Sequence, residues 1–230
     1  MEIWGNTQKG IFLERRNRFE ATVSINGQEV NAHVPNSGRL KELLMHGAGI
    51  ILRHYDDPGR KTEYGLLMVE KDGIWVSIDS ANAPNRLVEE ALRNRYLERF
   101  NGYDLYKREV KWGKSRFDFG FGKDEMIYYL EVKGVTLVES GIARFPDAPT
   151  SRGVKHLREL TELKLEGIGA GVIFIIQRED PHCFEPNDST DPDFGEALRT
   201  AFAAGVDMWA YSCRVKPDSI RIMGQIPIRI

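Results

Sequence analysis

Hydrophobic positions recur with two different periods along this chain. Through roughly residue 80 the period is two. "RFEATVSINGQEVNAHV" alternates apolar and polar positions around Asn26-Gly27, a dipeptide that accepts the positive φ angles of a tight hairpin turn. "GIILRHYD", "TEYGLLMVEK" and "GIWVSIDS" predict further strands, the last two joined by Asp72-Gly73. Among them, "SGRLKELLMHG" predicts one short helix. Five or so antiparallel strands with a single short helix predict a small, partly open β-barrel of the OB type.

The period then changes. "NAPNRLVEEALRNRYLERF" puts Leu87, Val88, Ala91 and Leu92 on one face of a helix that starts at asparagine and proline. "REVKWGKSRFDFGFG" and "MIYYLEVKGVTL" predict two or three strands. "TSRGVKHLRELTELKLEG" predicts a capped helix, and the continuous apolar run "GVIFIIQR" a buried strand. In "DPDFGEALRTAFAAG", Asp191 stands as N-cap, Pro192 in the first turn and Gly205 at the C-terminus of a third helix. "DMWAYSCRV" and "SIRIMG" predict closing strands. Helices alternating with strands predict an α/β domain with a mixed central sheet. The chain divides into a barrel domain, residues 1–82, and an α/β domain, residues 83–230.

Composition narrows the partners without naming one. Two cysteines, Cys183 and Cys213, form neither a disulfide framework nor a zinc cluster, which suits a reducing cytoplasm. No targeting segment opens the chain, and the longest apolar run is too short to span a bilayer. A net charge of −2 excludes a uniformly basic nucleic-acid binder, so such a partner needs a local positive patch or bound metal ions.

The chemistry concentrates in "SRFDFGFGKDEMIYYLEVKGVTL". Alternation places Arg116, Asp118 and Gly120 on one face of a strand, with Phe117, Phe119 and Phe121 on the other. In the next strand Tyr129, Glu131 and Lys133 share a face, while Leu130 and Val132 point into the core. If the two strands form a hairpin, Asp118 lies beside Glu131 at cross-strand range. Two carboxylates that close repel, and a divalent cation removes the conflict. Aspartate and glutamate oxygens suit Mg2+ or Mn2+, whose remaining positions go to water and phosphate. A lysine beside such a metal can offset charge building on a phosphodiester. Spacing alone leaves a second reading open, a cross-strand ion-pair network on an exposed sheet face.

The order of helix, strand with Asp, strand with ExK and helix resembles the PD-(D/E)xK nuclease superfamily. More specifically, "HVPNSGRL", "NRLVEEAL", "REVKWGKSRFDF", "LEVKGVTL" and "FPDAPTSRGVKHLREL" together resemble the sugar fermentation stimulation protein family, SfsA, over nearly the whole chain. That resemblance implies an N-terminal OB-like domain, a C-terminal PD-(D/E)xK nuclease-like domain, non-specific DNA binding and a link to regulation of sugar metabolism. It brings no settled reaction, so a metal-dependent DNA nuclease stands as the alternative. It makes Asp118, Glu131 and Lys133 the core of the site. The helix pattern leaves Glu89 and Glu90 equally placed to join them, and the resemblance selects Glu90 as a further metal carboxylate.

Arg15, Arg16 and Arg18 near a strand, and Arg152 and Lys155 at a helix start, are the candidate cations for a DNA partner; the alternatives are a solvated strand end and the outer face of an amphipathic helix. His156 and Arg158 are placed on the same outward face of that helix, away from Val154, Leu157 and Leu160. Gln177, ending the buried strand, is a polar candidate near the site.

Overall fold

In a computed structural model the structure describes every residue except Trp4, Ala81, Asp104, Lys123 and Asp124. Strands β1 (Thr7–Asn17), β2 (Glu20–Ile25) and β3 (Gln28–His33) form an antiparallel meander. β4 (Gly49–His54) pairs with β1, β5 (Tyr64–Lys71) with β4, and β6 (Ile74–Ser77) with β5. A short parallel pairing of Ala32 with Tyr64 and His33 with Gly65 joins β3 to β5 and closes the sheet into the OB-type barrel. Both hairpin dipeptides adopt the required left-handed backbone, with φ of 51° and 82° at Asn26-Gly27 and 50° and 81° at Asp72-Gly73.

The expected helix over "SGRLKELLMHG" is absent. The segment folds as successive turns, such as Leu44 N–H to Leu40 C=O, with Leu40 itself at φ 51°. A left-handed residue near the start stops a helix from propagating. Burial still explains the apolar spacing, because Leu40 and Leu43 are sunk in the barrel core beside Phe12, Leu52 and Leu66.

Beyond the barrel, α1 (Ala83–Arg93) leads to β7 (Leu105–Trp112), β8 (Ser115–Gly122) and β9 (Met126–Val135). Then come β10 (Val138–Glu139), β11 (Ile142–Phe145), α2 (Ser151–Leu165) and β12 (Gly169–Ile176). β13 (Cys183–Pro186), α3 (Pro192–Ala203), β14 (Asp207–Lys216) and β15 (Ser219–Gln225) complete the chain. The central sheet runs β15-β14-β12-β9-β8-β7, parallel at β9, β12 and β14 and antiparallel elsewhere, so it is mixed. A small sheet, β10-β11-β13, sits apart; its pieces are too short to show a period in the sequence.

Both faces of the central sheet are covered. α1 closes one face over Phe119, Phe121, Leu130 and Val132, while α2 and α3 close the other over Tyr129, Val172 and Phe174. The start of α1 presses on β9 at Gly134, where a Cβ would meet Pro84 Cγ at 2.8 Å. Barrel residues Ile51, Leu67 and Met68 belong to the α1-side core, so the two halves share apolar interior.

Candidate functional site

β8 and β9 pair antiparallel from Gly122 opposite Met126 as far as Phe119 opposite Leu130, and the ladder ends there. Asp118 is the first residue past it. In place of the ladder bond, its Oδ2 accepts the Val132 N–H at 2.8 Å, and its Oδ1 accepts the Asn85 side-chain amide from α1 at 2.7 Å. The departure of β8 from β9 also corrects the expected faces. Phe119 and Phe121 pack under α1, but Phe117 packs on the α2 side against Tyr129 and His156. Strict alternation fails at the residue where the strand leaves its partner.

Glu131 sits on β9, only 3% exposed. Its Oε1 accepts the Lys133 Nζ at 2.6 Å and the His156 Nδ1 at 2.5 Å. His156 is buried at 4% exposure, so its expected outward position on α2 is wrong. The reason is helical geometry: His156 neighbours Leu160 one turn on, and it fills the inner stripe with a polar group because a buried carboxylate is there to receive it. Nothing in the sequence ties position 156 to position 131; only packing α2 over the sheet does so.

The two carboxylates are driven apart in acidity. Burial and the neighbouring Glu131 charge push Asp118 up to about 6, against the pull of the Val132 N–H, Asn85 and Lys133. Burial also pushes Glu131 upward, but the Lys133 charge and the His156 hydrogen bond outweigh it and hold this carboxyl below its ordinary value. Glu131 Oε2 is buried and has no hydrogen-bond partner. A buried carboxylate oxygen without a partner beside a second carboxylate carries an unmet demand for a donor or a cation. The donor set, hard carboxylate oxygens, fits Mg2+ or Mn2+. Among the described residues no group of three or more His, Cys, Asp or Glu is arranged around one ion, so water and phosphate oxygens would complete the shell.

Glu90 does not join these residues. Its Oε2 lies 2.5 Å from the Met1 amino nitrogen, in a separate cavity with Leu87, Tyr211 and Ile222. Asn85 is the α1 residue that meets Asp118, and five positions on at about 100° each carries Glu90 well round the helix. Glu89, one turn from Asn85, shares its side but pairs with Arg93 at 2.7 Å and Arg108 at 3.0 Å.

Asp118, Glu131 and Lys133 open into a cleft of about 500 Å3 between the two halves. Arg18, Asn36, Ser37 and Gly38 of the barrel form one wall, and Pro146 to Thr150 with Arg152 the other. Of the expected cations, Arg18 and Arg152 line it. Lys155 lies outside it, 3.6 Å from Glu159 on the exposed side of α2. Arg16 binds the Thr22 hydroxyl at 2.8 Å. Arg15 is committed internally: its guanidinium donates to the carbonyls of Arg18, Asn36, Gly38 and Arg39, at 2.5 to 3.0 Å. Gln177 is likewise structural, bonded through Nε2 to Ser77 C=O at 2.8 Å.

Comparison with known proteins covers the chain almost end to end. Residues 13–78 match the family model described as SfsA N-terminal OB domain, and residues 82–219 match the Sugar fermentation stimulation protein RE domain. A sugar fermentation stimulation protein homolog of Acetivibrio thermocellus is 52% identical, over 100% of both chains. A homolog of the same name from Clostridium botulinum is 48% identical, again over 100% of both. A solved structure titled as Pyrococcus furiosus SfsA in complex with Ca2+ superposes with a TM-score of 0.90 at 30% identity, covering 100% of this chain and 98% of that one.

Proposed function

The chain belongs to the sugar fermentation stimulation protein family, and from that premise we propose that it binds DNA without sequence preference through a divalent cation held by Asp118 and Glu131. The observation that carries this reading is the partnerless, buried Glu131 Oε2 at the floor of a cleft whose rim bears Arg18 and Arg152. The Ca2+ named for the Pyrococcus relative supports a cation in this fold. When bound, such an ion attracts and polarises phosphate oxygens. Asn85 and the Val132 N–H hold Asp118 in place, and His156 and Lys133 hold Glu131. Arg18 and Arg152 receive backbone phosphates, which fixes position but reads no sequence. We place the protein in the cytoplasm, where its two buried, unpaired cysteines stay reduced; no helix among the described residues is long and apolar enough to cross a membrane.

Affinity for DNA is expected to fall steeply with salt, with a log–log slope of about −0.9 per phosphate neutralised. Calorimetry with manganese on the wild type and Asp118→Asn separates metal binding from an ion-pair network; equal affinity in both proteins leaves the network.

A second reading, hydrolysis of the phosphodiester, is favoured by one further feature. Lys133 is held against Glu131 at the cleft floor, where its ammonium can meet charge developing on a phosphate. Incubation of single-stranded, duplex and branched DNA, and of RNA, with magnesium or manganese tests it beside Lys133→Ala. Cleavage lost in the variant with binding kept establishes the enzyme, and no cleavage of any substrate leaves the binding protein.

A further inference from the structure

The cleft over Asp118 and Glu131 continues into a second one. The two share Arg18, Ser37, Gly38, Ala148 and Pro149, and the second, about 650 Å3 on the barrel side, adds Arg39, Lys41 and Leu44. Its character is opposite to that of the first: three exposed cations, Arg18, Arg39 and Lys41, and no acidic residue among the described residues that line it. All three side chains are exposed, and none is in an ion pair among the described residues. Arg15, underneath, ties together the carbonyls of Arg18, Asn36, Gly38 and Arg39 and so sets the wall from which two of the cations project.

We infer that the paired clefts are the track of a single nucleic-acid strand. One phosphodiester lies over Asp118 and Glu131, and the adjoining nucleotide occupies the barrel-side cleft with its phosphate on Arg18, Arg39 and Lys41. This rests on the nucleic-acid reading above and narrows it to unpaired substrate. Three observations lead there. Glu131 is 3% exposed in a cleft with walls from both halves, a recess that a flexible unpaired strand enters more readily than a stiff duplex. The barrel-side cleft, about 650 Å3, is of a size for nucleotides rather than for a double helix. The hairpin tip that carries Arg18 also leaves Phe19 48% exposed, stacked on His33 with ring planes 22° apart. Unpaired bases stack on such a face, and barrel proteins of this type combine it with a basic groove.

The test is fluorescence anisotropy with the full chain in calcium, using one oligonucleotide as a single strand and annealed to its complement, over a salt series. The single strand is expected to bind about tenfold more tightly than the duplex, which by the affinity scale is one decade in Kd. The double variant Arg39→Ala/Lys41→Ala is expected to weaken single-strand binding and to flatten its salt slope by about 1.4, two contacts at about 0.7 each. Phe19→Ala should cost about fivefold or more. Arg39→Gln/Lys41→Gln, which keeps side-chain bulk at these exposed positions, gives the same result if charge is the cause. Duplex bound as tightly as single strand, or double variants that bind like the wild type, overturn the strand track while leaving DNA binding intact. Failure of the wild type to bind either form overturns the functional reading itself.

Discussion

Asp118 is pulled in two directions by its surroundings, and that makes it measurable. Its folded value of about 6 stands above its ordinary 3.8 because it is buried beside Glu131. A carboxyl raised on folding adds stability below its unfolded value and loses it as pH rises through the folded one. In chelator, the wild type should therefore lose about 2.5 kcal/mol between pH 4 and 8 relative to Asp118→Asn, at about 1.4 kcal/mol per unit. Urea unfolding of both proteins across that range checks it; a difference that stays flat with pH shows that Asp118 titrates normally. His156 supplies a second measurement. Without its bond to Glu131 Oε1, that carboxylate keeps only Lys133 and can turn its free oxygen away. His156→Leu should lower manganese affinity about tenfold or more, as loss of a group that orients a ligand does. His156→Asn, which returns an N–H at nearly the Nδ1 position, should recover part of it; equal affinity in all three proteins removes His156 from the site. At this scale the sequence was only half legible. Two-residue alternation put Asp118 and Glu131 side by side because both lie in one local hairpin. His156 and Arg15 escaped it because their partners, a carboxylate 25 residues away and, for three of the four carbonyls, 21 to 24 residues away, are chosen by tertiary packing.

Elements with strong end signals were readable in advance. Thr150 and Asp191 cap α2 and α3, accepting the Gly153 and Phe194 amides at 3.0 and 3.1 Å. Asp191 does more than cap, since its other oxygen accepts the Thr150 N–H at 2.7 Å and ties the two helix starts together. Asp191→Ala should therefore cost about 2 kcal/mol, the upper end for a cap, read as a lower urea midpoint at unchanged slope. A loss of a few tenths would mean that the link between the helices adds nothing. Where the sequence misled, a local signal competed with a nonlocal one. The leucine spacing of residues 37–47 suits a helix, but the barrel needs only Leu40 and Leu43 as a plug, and the turns that deliver them are held from outside. Asp147 accepts the Leu40 N–H at 2.7 Å, and Arg15 grips the Gly38 and Arg39 carbonyls just before it. Arg15→Ala should thus destabilise the protein by about 2 kcal/mol, the range for hydrogen bonds to a charged group. Arg18→Ala should leave stability alone and weaken DNA binding. Equal melting of the two variants would contradict this division of labour between neighbouring arginines.

At the scale of the whole molecule, the chain passes from β6, ending at Ser77, to α1, starting at Ala83, without separating two independent bodies. β6 ends at Ser77, whose N–H and C=O are both taken by Gln177, at 3.0 Å to its carbonyl and 2.8 Å from its side-chain amide. Asn36 donates to Ile78 C=O at 3.0 Å, and Ile51, Leu67 and Met68 of the barrel are buried with Leu87 and Val88 of α1. The sequence could show Gln177 only as a polar residue at the end of an apolar strand, which reads equally well as a site residue. Its role emerges once a strand 100 positions earlier is laid against it. A shared core of this kind makes opening one half costly to the other, because either half alone exposes apolar surface that the pair hides. Calorimetry of the full chain should accordingly show one transition with equal calorimetric and van't Hoff enthalpies. Gln177→Leu leaves the buried Ser77 carbonyl unpaired, a loss of about 2 kcal/mol. For a chain of this length that lowers Tm by about 4–8 °C, and it should do so for the whole molecule at once. A barrel that melts separately in either protein would show that the cleft joins two loosely tethered domains, and that its two walls are free to part.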